Sequence, residues 1–272
     1  MHKKTYGLIG YPLGHSFSKG YFTEFFQQKG IVAQYKNFEL PSIKDLATVI
    51  EEENALQGFN VTIPYKQQVI PYLHELDEAA KAIGAVNVVK VIRHEGNVYL
   101  KGYNTDIIGF SDSIRPLLKA HHTHALILGT GGAAKAINYA LRKMGLKTCF
   151  VTREKTPTSC TYHEGEEKNT SPGNTSHEKI LTYGEITPEI LTQHTVIINT
   201  TPLGMHPKTD TCPQLNYSLL NSNHLLFDLV YNPPKTLFLL QGEENNATIC
   251  NGMEMLIGQA KAAWHIWTEE SL

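Results

Sequence analysis

The chain opens on an apolar, strand-like run, TYGLIGYP (5–12), and passes into a segment whose apolar residues return at helical spacing. Tyr21, Phe22, Phe25 and Phe26 share one face over 17–29, and Gly30 follows as a stop. Next come a strand AQYKNFEL (33–40), a helix over 42–53 with Ser42 and Asp45 as a loose capping box, and a strand GFNVTIP (58–64). This β-α-β-α-β order predicts a sheet covered by helices. Residues 66–83 read as helical with a break at Pro71. AVNVVKVIR (85–93) and NVYLKGYNT (97–105) then predict a hairpin turning at 94–96, an antiparallel element in an otherwise parallel sheet.

A helix over 107–120 leads into HALILGTGGAAKAINYALRKMG (124–145), where a buried strand runs through a glycine turn into a helix. Strands at KTCFVT (147–152), TVIINTTP (195–202), LLFDLVY (225–231) and ATICNG (247–252) alternate with helical segments, the pattern of a doubly wound domain. NGMEMLIGQAKAAWHIWTEE (251–270) reads as an amphipathic helix opened by Gly252, and the aperiodic, polar stretch 154–178 as a long surface loop. The expected class is α/β with two domains: one formed by 1–106 with 250–272 and carrying a mostly parallel sheet, the other a Rossmann-like domain over 107–249.

Composition narrows the partners. The 24 Lys+Arg balance 26 Asp+Glu to a formal charge of −2, which leaves no basic field for nucleic acid or an anionic bilayer. No apolar run reaches the ~18 residues of a membrane span. Gly7, Gly10, Pro12 and Gly14 interrupt the N-terminal apolar stretch, so the expectation is a cytoplasmic protein with a small-molecule partner, monomeric or homodimeric. Cys149, Cys160, Cys212 and Cys250 form no C-x-x-C pair, which argues against zinc and against a disulfide framework. The HHTH run at His121, His122 and His124 has no carboxylate or cysteine beside it and reads as a solvated loop, not a metal site.

The turn Gly129-Thr130-Gly131-Gly132-Ala133-Ala134 fits G-x-G-x-x-A between a strand and a helix. Gly129 permits the tight turn, Gly131 lets backbone approach a pyrophosphate, Ala134 lets helix pack on strand, and the helix N–H groups face the phosphates. About 20 residues on, where a site for NAD places a carboxylate against the ribose, the strand ends in Thr152 and Arg153. An arginine there favours a 2′-phosphate, hence NADP, although Glu154 follows immediately.

One stretch mixes two habits. In GFNVTIPYK (58–66) the apolar, β-branched residues say strand, yet Asn60 and Thr62 put hydrogen-bonding groups inside it, and Pro64 stops it two residues before Lys66. With GHSFS (14–18), NVTIPYK (60–66), GAVN (84–87), GYNTD (102–106), GTGGA (129–133), NTTPLGM (199–205), DLVYNP (228–233) and NGMEMLIGQA (251–260) in this order, the chain resembles shikimate dehydrogenase over essentially its whole length.

That resemblance implies NADP-dependent interconversion of 3-dehydroshikimate and shikimate, on the route to aromatic amino acids. It implies Lys66 and Asp106 as the acid/base pair at a domain cleft, and Ser16 and Ser18 on the substrate carboxylate with help from Tyr231. Asn60, Thr62, Asn87 and Gln259 would read the ring hydroxyls. Gly129, Gly131, Gly132, Ala133, Thr152 and Arg153 would hold the cofactor, with Thr200, Met205, Gly252 and Met255 on its nicotinamide side; Met255 and Gln259, four apart, share a helix face. The chain departs from the family pattern at Thr152, where Asn is usual, at Tyr103, where a smaller or acidic residue is expected, and in the longer 154–178 loop. The rival readings are an NAD-dependent quinate/shikimate dehydrogenase and a non-catalytic NADP-binding regulator on the same fold.

Overall fold

A computed structural model describes residues 3–14, 17–154 and 179–269. The chain divides into two compact units, Met1–Ser113 with Glu254–Leu272, and Ile114–Met253.

The first unit is built on a six-stranded sheet of order β2-β1-β3-β5-β6-β4. Its strands are β1 (Lys4–Gly10), β2 (Ala33–Glu39), β3 (Leu56–Val61), β4 (Glu75–Leu76), β5 (Val88–His94) and β6 (Asn97–Tyr103). β5 alone runs against its neighbours, paired antiparallel to β3 and β6, while β1 pairs parallel with both β2 and β3. The hairpin expected from 85–105 is this β5–β6 pair, and Gly96, at φ +81°, occupies the turn with a conformation that L side chains avoid. The segment expected to be a broken helix contains two short helices, α3 (Tyr65–Gln68) and α4 (Glu78–Ile83), with a 3₁₀ turn at Ile70–Tyr72 and the two-residue β4 between them. Asp77 caps α4 by accepting from the Ala80 N–H, which starts a helix where β4 ends.

The helices α1 (Phe17–Gln28), α2 (Leu46–Glu52), α5 (Asp106–Ile114) and α9 (Met253–Thr268) complete this unit. Tyr6, Phe22, Phe26, Tyr35, Trp264 and Trp267 form one buried aromatic core joining α1, the β1–β2 edge and α9. Each such ring contributes roughly 1.5–3 kcal/mol through burial. Trp267 also donates its indole N–H to the Val89 carbonyl, fixing α9 on the sheet. Tyr103 packs on this cluster, and the Lys101 ammonium lies 5.8 Å over its ring, which accounts for an aromatic residue at that position. α5 and α9 cross at two glycines: a Cβ on Gly109 would stand 2.3 Å from the Met255 carbonyl oxygen and 2.9 Å from the Gln259 nitrogen. The backbones touch because Gly109 and Gly258 face each other, a Cβ on Gly258 standing 2.9 Å from the Gly109 Cα.

The second unit carries an all-parallel sheet of order β12-β11-β10-β7-β8-β9. Its strands are β7 (His124–Leu128), β8 (Lys147–Thr152), β9 (Lys179–Thr182), β10 (Val196–Asn199), β11 (Leu225–Asp228) and β12 (Thr248–Cys250). With α6 (Gly132–Lys143), α7 (Pro188–Gln193) and α8 (Leu237–Glu244), this is the doubly wound Rossmann arrangement. β7, β10 and β11 are buried along almost their whole length, the continuous apolar run that a sheet covered on both faces requires. β9 follows the polar stretch 154–178, nearly all of which lies outside the described residues, as does Cys160. Among the described residues no helix is long and apolar enough to cross a membrane.

Candidate functional site

In the first unit β3 ends at Val61, and the chain turns through Thr62 and Pro64 into the single turn of α3, which carries Lys66. The Thr62 N–H donates to the Ile9 carbonyl, the Tyr65 N–H to the Thr62 carbonyl, and the buried Tyr65 hydroxyl to the Leu40 carbonyl. These bonds anchor the backbone on both sides of Lys66, whose own carbonyl accepts from the Val86 N–H at 2.7 Å.

The Lys66 Nζ stands 2.6 Å from Asp106 Oδ2, and the lysine side chain keeps 19% of its surface while the aspartate keeps 2%. Asp106 is the first residue of α5 and donates its N–H to Asn104 Oδ1. Its other carboxylate oxygen accepts from Asn87 Nδ2 at 2.9 Å. Asn87 is itself fixed, its Oδ1 accepting from the Thr105 N–H at 2.7 Å, and Asn104 Nδ2 donates to the Ala85 carbonyl. GAVN and GYNTD thus interlock, and the buried carboxylate is satisfied by one cation and one amide. Lys66, the less buried member of the pair, is the group that can meet a reactant.

Asn60 and Thr62 stand on the same edge, half-buried. The Asn60 Oδ1 accepts from the Tyr35 hydroxyl at 2.7 Å. Gln259 lies on α9 against Gly109, one turn into α5 from Asp106. Met255, one turn earlier, is buried. Ser18 lies in the first turn of α1, half-buried, whereas Ser16 falls outside the described residues. The first unit therefore gathers Lys66, Asp106, Asn87, Asn60 and Thr62, with Gln259 beside α5.

In the second unit the register of the parallel strands puts Leu128, Val151, Asn199, Asp228 and Cys250 along one edge of the sheet, at the strands' C-terminal ends. Nucleotides bind along such an edge. Gly129 takes φ +110°, where a Cβ would stand 2.7 Å from the Thr200 hydroxyl; that hydroxyl donates to the Leu128 carbonyl at 2.6 Å, so the two expected cofactor residues are neighbours. Gly131 is the N-cap of α6 and makes no side-chain cap; a Cβ there would meet nothing within 4 Å, and the first turn beginning at Gly132 and Ala133 carries no acidic residue. These features fit a pyrophosphate: N–H groups without a side-chain cap, room for close approach and no competing negative charge. Arg153 is exposed just beyond β8, close enough to Tyr183 for its charge to act on that phenol, and suits a phosphate monoester. The Thr152 hydroxyl donates to the Glu154 carbonyl.

Asp228, at the end of β11, is fully buried. It accepts from Asn199 Nδ2 at 2.9 Å, the Val230 N–H at 3.0 Å and the Thr236 hydroxyl at 2.5 Å. Burial pushes its pKa up to about 6, against the pull of those donors. The carboxyl ties the loop carrying Thr200 and Met205 to the one carrying Tyr231, and the Val230 carbonyl accepts from the Gly252 N–H. Tyr231 is half-buried and Met205 exposed.

Tyr35, Asn104, Thr105, Asn199, Asp228 and Thr236 join these clusters without being singled out by the sequence. Four of them sit inside quoted motifs, where a polar residue next to a strand end is the available signal; Tyr35 and Thr236 carry none. The histidine run differs from the expected solvated loop: His122 is buried, its Nδ1 accepting from the Lys119 N–H and its Nε2 paired with the Asn223 carbonyl. No group of three or more His, Cys, Asp or Glu able to hold a metal ion occurs among the described residues.

Comparison with known proteins gives concordant results. The family profile "Shikimate dehydrogenase substrate binding domain" matches residues 8–89. A curated shikimate dehydrogenase (NADP(+)) of Clostridium beijerinckii is 39% identical over 267 residues, 97% of this chain and 92% of the relative. The crystal structure of a chorismate mutase/shikimate 5-dehydrogenase fusion protein from Clostridium acetobutylicum superposes with a TM-score of 0.82 at 34% identity, covering 100% of this chain and 93% of that one. A Thermus thermophilus shikimate 5-dehydrogenase, solved with NADP(H) and shikimate, gives 0.79 at 26% identity, with 98% and 94% covered.

Proposed function

The chain belongs to the shikimate dehydrogenase family, and from that premise we propose that it catalyses the reversible, NADP-dependent reduction of 3-dehydroshikimate to shikimate. The observation that carries the reading is the Lys66–Asp106 pair, a half-screened ammonium 2.6 Å from a buried carboxylate in the unit that also bears the polar strand end of Asn60 and Thr62.

Bound NADP(H) supplies or accepts the hydride. As a ketone is reduced, negative charge develops on its oxygen, and an ammonium beside that oxygen both stabilises the charge and offers a proton. Asp106 fixes the direction of the lysine and takes part in moving the proton, and Asn87 holds the second carboxylate oxygen so that Asp106 cannot turn away. In the oxidative direction the same pair accepts the alcohol proton. Ser16 and Ser18 provide neutral donors for the substrate carboxylate, and Asn60, Thr62 and Gln259 provide mixed donors and acceptors for hydroxyls.

On this reading the first unit is the substrate and catalytic domain, the second binds NADP, and the protein works in the cytoplasm. Gly129, Gly131, Gly132 and Ala133 would cradle the pyrophosphate, Arg153 and Thr152 the 2′-phosphate, and Thr200, Met205, Gly252, Met255 and Tyr231 would meet the nicotinamide and the substrate.

The test is spectrophotometric. Shikimate with NADP is expected to yield NADPH at a kcat/KM well above that of shikimate with NAD or quinate with either cofactor. Absence of NADPH formation with shikimate defeats the proposal, and a preference for quinate and NAD reassigns the substrate.

A further inference from the structure

Ala85, Val86 and Asn87 are buried and reach both halves of the Lys66–Asp106 pair. The Val86 N–H donates to the Lys66 carbonyl at 2.7 Å, which fixes where the lysine side chain starts. The Ala85 carbonyl accepts from Asn104 Nδ2 at 2.9 Å, and Asn104 Oδ1 accepts from the Asp106 N–H at 3.1 Å. Asn87 donates from Nδ2 to Asp106 Oδ1 at 2.9 Å. Three consecutive residues thus hold the lysine backbone, the aspartate backbone through Asn104, and the aspartate carboxylate.

Starting a helix explains only half of Asn104. An oxygen acceptor just ahead of α5 satisfies one orphan N–H, and a serine or threonine hydroxyl would serve for that. The amide adds a donor, and this donor reaches a carbonyl 19 positions back in the chain. A hydroxyl on Cβ stops about 1.3 Å short of the amide nitrogen and cannot span the same gap. Asn104 is 3% exposed, so both bonds are made away from water, where losing one leaves a buried group unpaired. The carboxylate contacts of Asp106 direct its side chain. The place of its main chain is a separate matter, and there the Asn104 bridge joins it to the residues that hold Lys66.

We propose that Asn104 is a positioning residue for the acid/base pair: its side chain ties the Asp106 main chain to the segment that holds the Lys66 main chain, and so fixes the separation at which ammonium and carboxylate meet. The inference rests on the functional reading above. Displacing a reacting group by ~1 Å costs on the order of 100-fold in rate, so a tie that limits the displacement acts on kcat and not on ground-state binding.

Asn104→Ser keeps an acceptor for the Asp106 N–H and removes the donor to Ala85. The expected result is a kcat lowered about 10-fold, a shikimate KM changed less than about 2-fold, and an unmoved NADPH dissociation constant by fluorescence titration. A double-mutant cycle separates positioning from general loosening. In the Lys66→Ala background the pair no longer exists, so Asn104→Ser is expected to lower kcat there by less than about 2-fold. Should Asn104→Ser fold poorly by thermal unfolding, Asn104→Thr, which makes the same exchange of groups, replaces it in both backgrounds under the same criteria. An unchanged kcat, a loss carried by the shikimate KM, or an equal loss of kcat without Lys66 overturns the proposal and leaves the functional reading intact. A wild type that leaves shikimate untouched overturns both.

Discussion

Each unit buries one aspartate at the edge of its sheet, and each aspartate has an asparagine donating to it at 2.9 Å, Asn87 to Asp106 and Asn199 to Asp228. A threonine completes each cluster, Thr105 on Asn87 and Thr236 on Asp228. The difference is one cation. Asp106 has Lys66 at 2.6 Å, whereas the donors on Asp228 are an amide, a hydroxyl and a backbone N–H, all neutral. Neutral donors stabilise a carboxylate but do not offset the full cost of burying its charge, which is why Asp228 is pushed up to about 6. The lesson is that polar surroundings of one kind serve two ends. With a partly exposed ammonium beside it, the carboxylate is half of the proposed acid/base pair; without one, it is a tie between loops.

The largest effect expected from breaking that contrast is at Lys66. Lys66→Ala leaves Asp106 with its neutral donor alone, which makes the first cluster resemble the second. In steady-state kinetics kcat is expected to fall by at least about 100-fold with little change in the shikimate KM, the signature of an interaction made mainly in the transition state. An equal loss shared between KM and kcat would mean that the lysine binds the ground state as tightly, and would remove it from the chemistry.

Asp228 sharpens the contrast from the other side. Its folded pKa, about 6, lies above the ordinary 3.8, so the folded form binds the extra proton. Its contribution to stability is fully present below pH 3.8 and is lost as pH rises through about 6. A shift of that size corresponds to about 3 kcal/mol. Asp228→Asn cannot titrate there. In denaturant unfolding the variant is expected to gain on the wild type by about that amount between pH 4 and pH 7. A constant difference across that range would show that the carboxyl is not held as its neutral donors imply. The same substitution disturbs the Thr236 bond, so a modest rise in the KM for NADP is expected beside the pH effect.

How much of this was legible in the chain depends on whether a residue's role is local. The strand–turn–helix at 124–145 was readable because the glycine turn, the buried strand and the amphipathic helix are each set by adjacent residues. Lys66 could be singled out because Pro64 ends the strand before it, and Asp106 through the GYNTD motif that carries the family resemblance. β4 and β9 were not readable: one is two residues long, the other follows a polar stretch, and both exist because a neighbouring strand, β6 or β8, offers free backbone groups. Tyr35 looked like any core aromatic, since its hydroxyl acquires meaning only when Asn60, 25 residues on, is folded against it. The HHTH run misled for the same reason, because the burial of His122 depends on Asn223, about a hundred positions away.

That histidine edge offers the smallest expected effect and opposes the one at Asp228. His124, at the start of β7, and His224, just ahead of β11, lie at the end of the parallel sheet opposite Asp228. Burial lowers the pKa of His122, His124 and His194, and the nearby charges on His122 come from His121, Lys119 and His224, all of cationic sign. Lowered folded values mean stability that is complete above the ordinary pKa of about 6.5 and lost as pH falls through the folded one. A proton on His122 Nδ1 would also break its acceptance from the Lys119 N–H. His122→Ala is therefore expected to cost about 1–2 kcal/mol at pH 7.5, the scale of a buried side chain losing two hydrogen bonds, and less at pH 5, on the side toward which the wild type itself loses the contribution. Unfolding curves at the two pH values measure the gap. If it stays constant, the ring is held by packing alone, and the acid response of the second unit lies with His124 and His194 and with the carboxyl at its other edge.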